Sequence, residues 1–149
     1  MEPQYVKNNL IVVDRGFEEK HPFDLDDLLT RLSAPTGKTS FLVFKNNKYI
    51  TVRTENIAYF NVRHDTSIMV CFDQKEYFLN YSLDHIQELL TRKQFYRLNR
   101  QYLINFRAIK EAEHYFARKL LVNLEVTVPD KLLVPKEKVS SFLQWLENR

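Results

Sequence analysis

Glycine and cysteine are the residues that this chain has least of. Its 149 residues include two glycines, Gly16 and Gly37, and one cysteine, Cys71. A single cysteine excludes an internal disulfide and a thiolate metal cluster, and its place in the apolar run IMVCF predicts a small core residue. Two isolated glycines cannot build a glycine-rich phosphate loop, so nucleotide-binding motifs of that kind are excluded.

Long apolar runs and ligand-like spacings are also missing. No stretch approaches the ~18–20 apolar residues that cross a bilayer, and no signal-peptide pattern opens the sequence, which predicts a cytoplasmic protein with no membrane partner. The histidines are scattered without a spaced Cys, Asp or Glu partner: His21, His64, His85 and His114. His64-Asp65 suggests an acid–base pair, but neighbouring strand residues point to opposite sides and no nucleophile is evident nearby. We therefore expect no metal, no cofactor, no catalytic residue and no enzymatic activity.

Aromatic residues and an uneven charge are what the chain has in quantity. Eight Tyr, eleven Phe and a hydrophobic fraction of 44% favour strands around a real core. The net charge is +3, with −2 in residues 1–39 and +5 in residues 40–149. From Arg92 to Lys119 there are eight basic and two acidic residues. This cluster is typical of a polyanion binder, although a solvated face gives the same pattern.

The pattern of the chain predicts a tail followed by one domain. In residues 1–40, one apolar helical face is followed by a polar linker over residues 33–40; the face comprises Leu25, Leu28, Leu29 and Leu32. Residues 41–149 form the domain, with strands expected at 41–45, 49–52, 56–63, 67–72, 76–80, 109–116, 119–128 and 131–134. Ser82 is a predicted helix cap. A closing amphipathic helix is expected to turn inward Val139, Phe142, Leu143 and Leu146.

The segment from Phe95 to Lys110, FYRLNRQYLINFRAIK, carries the strongest functional signal. Asn99, Arg100 and Gln101 stand together at its centre. Arg pairs bidentately with guanine, and Asn or Gln with adenine, so the triplet is suited to hydrogen-bonding base edges. The structural alternative is a polar turn between two buried tyrosines.

Two further segments are candidate DNA contacts. Arg63-His64 stands at the expected tip of a hairpin, from which a side chain can reach a groove or a phosphate, unless the tip is an ordinary polar turn. Lys136 and Lys138 fall in the first turn of the last helix. Cations there oppose the helix dipole, which is easier to understand if they face an anion, although a solvated helix start is the simpler alternative.

Residues 41–149 resemble the LytTR family of bacterial DNA-binding domains, and their overall pattern is similar to Bacteroidetes-type members. The matching motifs keep the family's order: IAYF (57–60), the Tyr81–Leu89 pattern Y-x-L-D-x-I-x-x-L, FYRLNRQYLIN (95–105), IKE (109–111) and VPK (134–136). The resemblance implies a mostly β fold: an elongated antiparallel arrangement of about ten strands in small stacked sheets, with short helices and a C-terminal amphipathic one.

The resemblance also implies how such a domain meets DNA. Family members insert three loops into successive major grooves, and here these map onto Arg63-His64, Asn99-Arg100 and Lys136. Two residues depart from the family pattern: Asn99 replaces a common histidine, and Lys136 replaces the arginine of V-S-R. Because lysine lacks the bidentate fork, we expect Lys136 to contact phosphate more than a base.

The hypothesis is a sequence-specific transcription regulator that binds double-stranded DNA. Members usually bind direct repeats, which implies a second copy on the same site. HPFDLDDLLTRL is similar to the end of a receiver domain; this suggests the output domain of a two-component response regulator controlled by a sensor histidine kinase, or else a stand-alone regulator. The main alternative is a protein-interaction module whose basic face does not bind DNA specifically. RNA binding through aromatic stacking is a third.

Overall fold

A computed structural model describes residues 37–148, so the helix predicted around Leu25–Leu32 lies outside the described residues. The described part contains ten strands, which confirms the predicted mostly β fold: β1 (Ser40–Lys45), β2 (Lys48–Arg53), β3 (Ile57–Arg63), β4 (Thr66–Cys71), β5 (Glu76–Leu79), β6 (Phe95–Arg97), β7 (Tyr102–Asn105), β8 (Ile109–His114), β9 (Leu120–Leu124) and β10 (Leu132–Val134). Two α-helices accompany them, α1 (Leu83–Leu89) and α2 (Val139–Glu147). Ser82 caps α1 as predicted, because its hydroxyl accepts a hydrogen bond from the His85 amide.

The strands form three antiparallel sheets. The largest has the order β5-β4-β3-β7-β6, and the others are the hairpin β1-β2 and the sheet β10-β9-β8. Side chains alternate between the two faces of a strand, and both faces of the central sheet are buried. Phe60 and Leu103 pack on one face with residues of the β1-β2 hairpin and α1. Tyr59 and Ile104 pack on the other with the third sheet and α2.

The first hairpin has a tighter turn than its sequence predicts. Asn46 and Asn47 adopt φ values of 54° and 63°, while Lys48 already pairs with Lys45 in the ladder. Two consecutive left-handed residues make a type I′-like turn, whose twist matches that of the strands, and asparagine tolerates this conformation well. The predicted three-residue turn is therefore a two-residue turn.

Strands β8 and β9 are shorter than predicted. Their ladder ends where the Glu125 amide donates to the Ala108 carbonyl at 2.8 Å, and the chain then leaves the sheet. The Tyr59 hydroxyl lies 3.5 Å from the Thr127 carbonyl oxygen, and the Tyr102 hydroxyl donates to Asp130 at 2.7 Å. Residues 125–131 thus run beneath the central sheet, held by two of its tyrosines.

The inward face of α2 differs from the predicted one at a single position. Leu143 is 46% exposed and the prediction for it is wrong, whereas Phe142 is buried. With about 100° of rotation per residue, Trp145 lies about 60° from Phe142, but Leu143 lies about 100° away. The Trp145 ring packs 5.0 Å from that of Tyr96, and its Nε1 donates to the Arg92 carbonyl at 2.6 Å.

The thiol of Cys71 is buried, as predicted, and is expected to be unreactive in the folded protein. Burial, together with the nearby Asp73 carboxylate, raises the pKa of the Cys71 thiol to about 11. The thiolate is the reactive form, so a thiol reagent at pH 8 should modify Cys71 far more slowly in buffer than in urea, where the pKa returns to about 8.5. Because the pKa of Cys71 is higher in the folded state, the neutral thiol contributes fully to the free energy of unfolding below about pH 8.5. That contribution is lost as the pH rises through about 11. Equal modification rates in buffer and in urea would contradict this.

Candidate nucleic-acid interface

The β3–β4 turn consists of His64 and Asp65, both exposed. Their φ values of 51° and 63° again form a two-residue turn of the type I′ kind. Thr66, which the sequence predicts within the turn, is the first residue of β4 and pairs with Arg63. This geometry leaves His64 and Asp65 as the outermost residues of the hairpin.

Arg63 belongs to the strand and is already engaged by another side chain. Its Nη2 lies 3.1 Å from a carboxylate oxygen of Glu76, and its side chain is 40% exposed. A DNA contact by Arg63 would have to compete with this ion pair. Of the two residues predicted to contact DNA at this tip, His64 is therefore the one that no ion pair engages among residues 37–148.

The β6–β7 loop, residues 98–101, is closed from within by Asn99. Its Oδ1 accepts hydrogen bonds from the amides of Gln101, at 2.8 Å, and Tyr102, at 3.0 Å. This Asx-type turn uses the side-chain acceptor of Asn99 and leaves its NH₂ group as the remaining donor. Leu98 is fully buried beneath the loop, whereas Arg100 and Gln101 are exposed.

Arg97 fastens this loop to α1, a role that the sequence analysis missed. Its Nε donates to the Asn99 carbonyl at 2.6 Å, and its Nη2 to the Arg100 carbonyl at 3.0 Å. Its Nη1 donates to Asp84 at 2.8 Å and to Gln87 at 2.9 Å. The side chain is 18% exposed. The planar fork of one guanidinium thus fixes two loop carbonyls and two helix side chains at once.

The basic residues of the Phe95–Lys110 segment do not form one surface. Arg97 faces the loop, as described, and Arg100 projects from it. Strand β7 then runs from Tyr102 to Asn105, and Arg107 follows at the opposite end of the central sheet. The predicted polyanion-binding cluster is therefore divided between the two ends of the sheet.

The two turns lie side by side at one end of the central sheet. Strands β3 and β7 are antiparallel neighbours, with Asn61 opposite Tyr102, and the Val62 amide donates to the Gln101 carbonyl at 3.1 Å. Adjacent strands are about 4.8 Å apart. His64 and Arg100, which are distant in sequence, are thereby brought to neighbouring positions.

Lys136 and Lys138 lie in a 3₁₀ turn, Lys136–Lys138, that precedes α2, and both are exposed. The helix passes Tyr96 at Ser141, whose Oγ is 3.5 Å from the tyrosine hydroxyl, and reaches the Arg92 carbonyl at Trp145. Arg92 precedes β6 at the end of the sheet opposite the β6–β7 loop. The N-terminal end of α2, with its two lysines, is consequently directed toward that loop.

This arrangement offers hydrogen-bond donors and positive charge on exposed turns. Within residues 37–148, no three His, Cys, Asp or Glu side chains converge in a way that could hold a metal ion. Neither of the two described α-helices is long and apolar enough to cross a membrane. What the geometry suits is a grooved, anionic partner.

A family model described as "LytTr DNA-binding domain" matches residues 47–147. The chain belongs to this family. LytTR is a family of DNA-binding domains and not of enzymes. Membership of this family supports DNA binding by a regulator. The fold of this LytTR domain is similar to a solved structure from Bacillus cereus, described as the LytTr DNA-binding domain of a methyl-accepting/DNA response regulator. The TM-score is 0.63 at 19% identity, over 74% of this chain and 98% of that one. No curated protein matches the chain.

Proposed function

We propose that this LytTR domain recognises a specific double-stranded DNA sequence with the turns at one end of its central sheet. The observation that carries the proposal is the β6–β7 loop, which presents Arg100 and Gln101 outward from a backbone held by Arg97 and Asn99. A loop fixed in this way loses little conformational freedom on binding, which favours selective contacts. His64 stands on the adjacent turn and joins the same surface.

We assign base contacts within the predicted triplet to the residues whose side-chain donors and acceptors are not used inside the loop. A bidentate pair with adenine requires both the oxygen and the NH₂ group of an amide. Asn99 uses its oxygen inside the loop, so we assign it to shaping the loop, with its NH₂ group available for one further contact. Arg100 takes the guanine-type contact and Gln101 the adenine-type contact. His64 reaches the groove beside them, and Arg63 supports its turn through Glu76.

Lys136 and Lys138 are assigned to the phosphate backbone. Lys136→Ala should weaken binding to every duplex by a similar factor and lower the slope of log affinity against log salt by about 1, because one fewer counterion is released. The measurement is fluorescence anisotropy at several salt concentrations with two unrelated duplexes. A loss confined to one duplex would show instead that Lys136 contacts a base.

The wider assignment concerns the protein that carries the domain. We propose that residues 41–149 are the DNA-binding output domain of a bacterial response regulator, and that residues 1–40 are a tail or linker related to the end of a receiver domain. A sensor histidine kinase would then act through that receiver. Two copies on direct repeats would make the bound assembly, with the free protein monomeric. Sedimentation at micromolar concentration with and without operator DNA tests this stoichiometry.

One observation favours the alternative of a protein-interaction module. The outer face of the β1-β2 hairpin exposes Leu42, Phe44 and Tyr49 by 65%, 60% and 74%. Apolar groups exposed together suit a protein partner better than a phosphate backbone. On that alternative, the basic end of the sheet would bind DNA without sequence preference or would bind an acidic protein.

The test that separates the two functions is selection from random duplex DNA on the purified chain. Enrichment of a repeated sequence, bound far more tightly than its scrambled form, is the expected result. Enrichment of no sequence, with only weak and salt-sensitive binding, would overturn specific recognition and favour the interaction module.

A further inference from the structure

We propose that the β8–β9 turn, residues 115–119, is an additional contact to the DNA phosphate backbone, beyond the three segments assigned above. The inference rests on the proposed function, since it names a further part of the same interface. Arg118 and Lys119 supply the positive charge, and the ammonium of Lys131, which precedes β10, contacts Tyr115 of the turn. The turn has no motif in the sequence that indicates such a role.

The turn is positioned by the pairing of the third sheet. Leu120 of β9 pairs with His114 of β8 on one side and with Val134 of β10 on the other. Both the β8–β9 turn and Lys136 follow directly beyond these pairs. Continuing the register by one residue would set Pro135 opposite Lys119, so the β8–β9 turn and Lys136 follow the same end of the third sheet.

The backbone of the turn carries Arg118 in a conformation that suits an exposed tip. Ala117 and Arg118 have φ values of 59° and 62°, and the Tyr115 amide donates a hydrogen bond to the Lys119 carbonyl at 2.9 Å. Side chains other than glycine, asparagine and aspartate adopt this region only at some cost in energy. Both residues are exposed, so packing in a core does not explain an arginine at this position.

Two of these three cations, Lys119 and Lys131, contact aromatic rings. The Lys119 ammonium lies 5.0 Å from the centre of the Phe116 ring. The Lys131 ammonium lies 5.4 Å from that of Tyr115 and donates to its hydroxyl at 3.1 Å. Among residues 37–148, no ion pair neutralises Arg118, Lys119 or Lys131. Their charge remains available to an external anion.

Charge on the same sheet also sets the direction of approach. Glu111 and Glu113 lie on β8, where Asn123 of β9 donates to both carboxylates at 2.9 and 2.8 Å. These two carboxylates repel a phosphate backbone, whereas the basic end of the sheet, formed by the turn and Lys136, attracts it. DNA is therefore expected to contact the end of the third sheet at which Lys136 lies.

The test compares wild-type protein with the double variant Arg118→Asn, Lys119→Gln. Asparagine tolerates the left-handed conformation, so the substitution removes charge without straining the turn. Removing two phosphate contacts should lower the salt slope by about 2 and weaken binding by on the order of tenfold at 0.1 M salt, equally for the selected duplex and its scrambled form. The control variant is Lys75→Gln, because Lys75 lies in the β4–β5 turn at the opposite end of the central sheet and should change neither quantity.

The outcomes separate this inference from the proposed function. A wild-type salt slope in the double variant, with an unchanged thermal midpoint, would overturn the contact even if sequence preference is intact. If wild-type protein shows no sequence preference, specific recognition is overturned. The salt slope measured with scrambled duplex would still decide whether the turn contacts phosphate. A reduced slope equal to that of the Lys75 variant would show a general charge effect and would also overturn the contact.

Discussion

Arg97→Ala is expected to remove most of the sequence preference while leaving non-specific DNA binding almost unchanged. The guanidinium donates to the Asn99 and Arg100 carbonyls and to two side chains of α1, so its loss releases the loop that presents Arg100 and Gln101. Hydrogen bonds to charged groups contribute about 1.5–3 kcal/mol each when one partner is removed. Part of that loss should appear as a fall in specific affinity of roughly 2–3 kcal/mol, or about 30- to 150-fold.

The measurement is anisotropy with the selected duplex and its scrambled form, together with a urea unfolding curve. Arg97→Lys keeps the charge but lacks the planar fork, and we expect it to restore little of the specific affinity. Arg107→Ala is the matched control, because this arginine of the same segment follows β7 at the opposite end of the sheet. Equal losses of affinity for both duplexes, with a stable fold, would show that Arg97 contributes only charge.

Arg100→Ala is expected to cost about 1–3 kcal/mol on the selected duplex and to relax the preference at one base position. The side chain is exposed at the centre of the loop, and among the described residues no ion pair or hydrogen bond engages its guanidinium. It is therefore free to form the bidentate pair that distinguishes guanine from the other bases.

Repeating the selection with the Arg100→Ala variant identifies the position that is relaxed. Arg100→Lys retains the charge, so it should recover non-specific affinity without recovering the base preference. If Arg100→Ala instead weakens all duplexes equally and lowers the salt slope by about 1, Arg100 is a phosphate contact and base recognition must come from Gln101 or His64.

The hairpins were predictable because their physics is local. Short apolar runs indicate β3 and β4, and the polar residues between them mark a turn, whereas β7 was not among the predicted strands. The family resemblance implies about ten strands in small sheets, and the structure has ten in its described part. The cap at Ser82 was likewise predictable, since a capping hydroxyl needs only the amide three residues further along.

The missed features depend on contacts between residues that are distant in sequence. Arg97 is one more cation in a basic segment until α1 supplies Asp84 and Gln87 as its partners. Asn99 has the chemistry of a base-reading residue, but the turn takes its oxygen for two amides. The division of the basic segment between two ends of the sheet follows from the direction of β7, which sequence periodicity does not indicate.

If one end of the central sheet faces DNA, as we propose, backbone amide chemical shifts recorded during titration with the selected duplex will locate that end. We expect the largest shift changes in residues 63–66, 98–101 and 136–138, with little change at Lys75 and Arg107. A scrambled duplex should produce smaller changes in the same regions. Changes concentrated around Lys75, Arg92 and Arg107, with residues 98–101 unaffected, would show instead that the opposite end of the sheet binds the DNA.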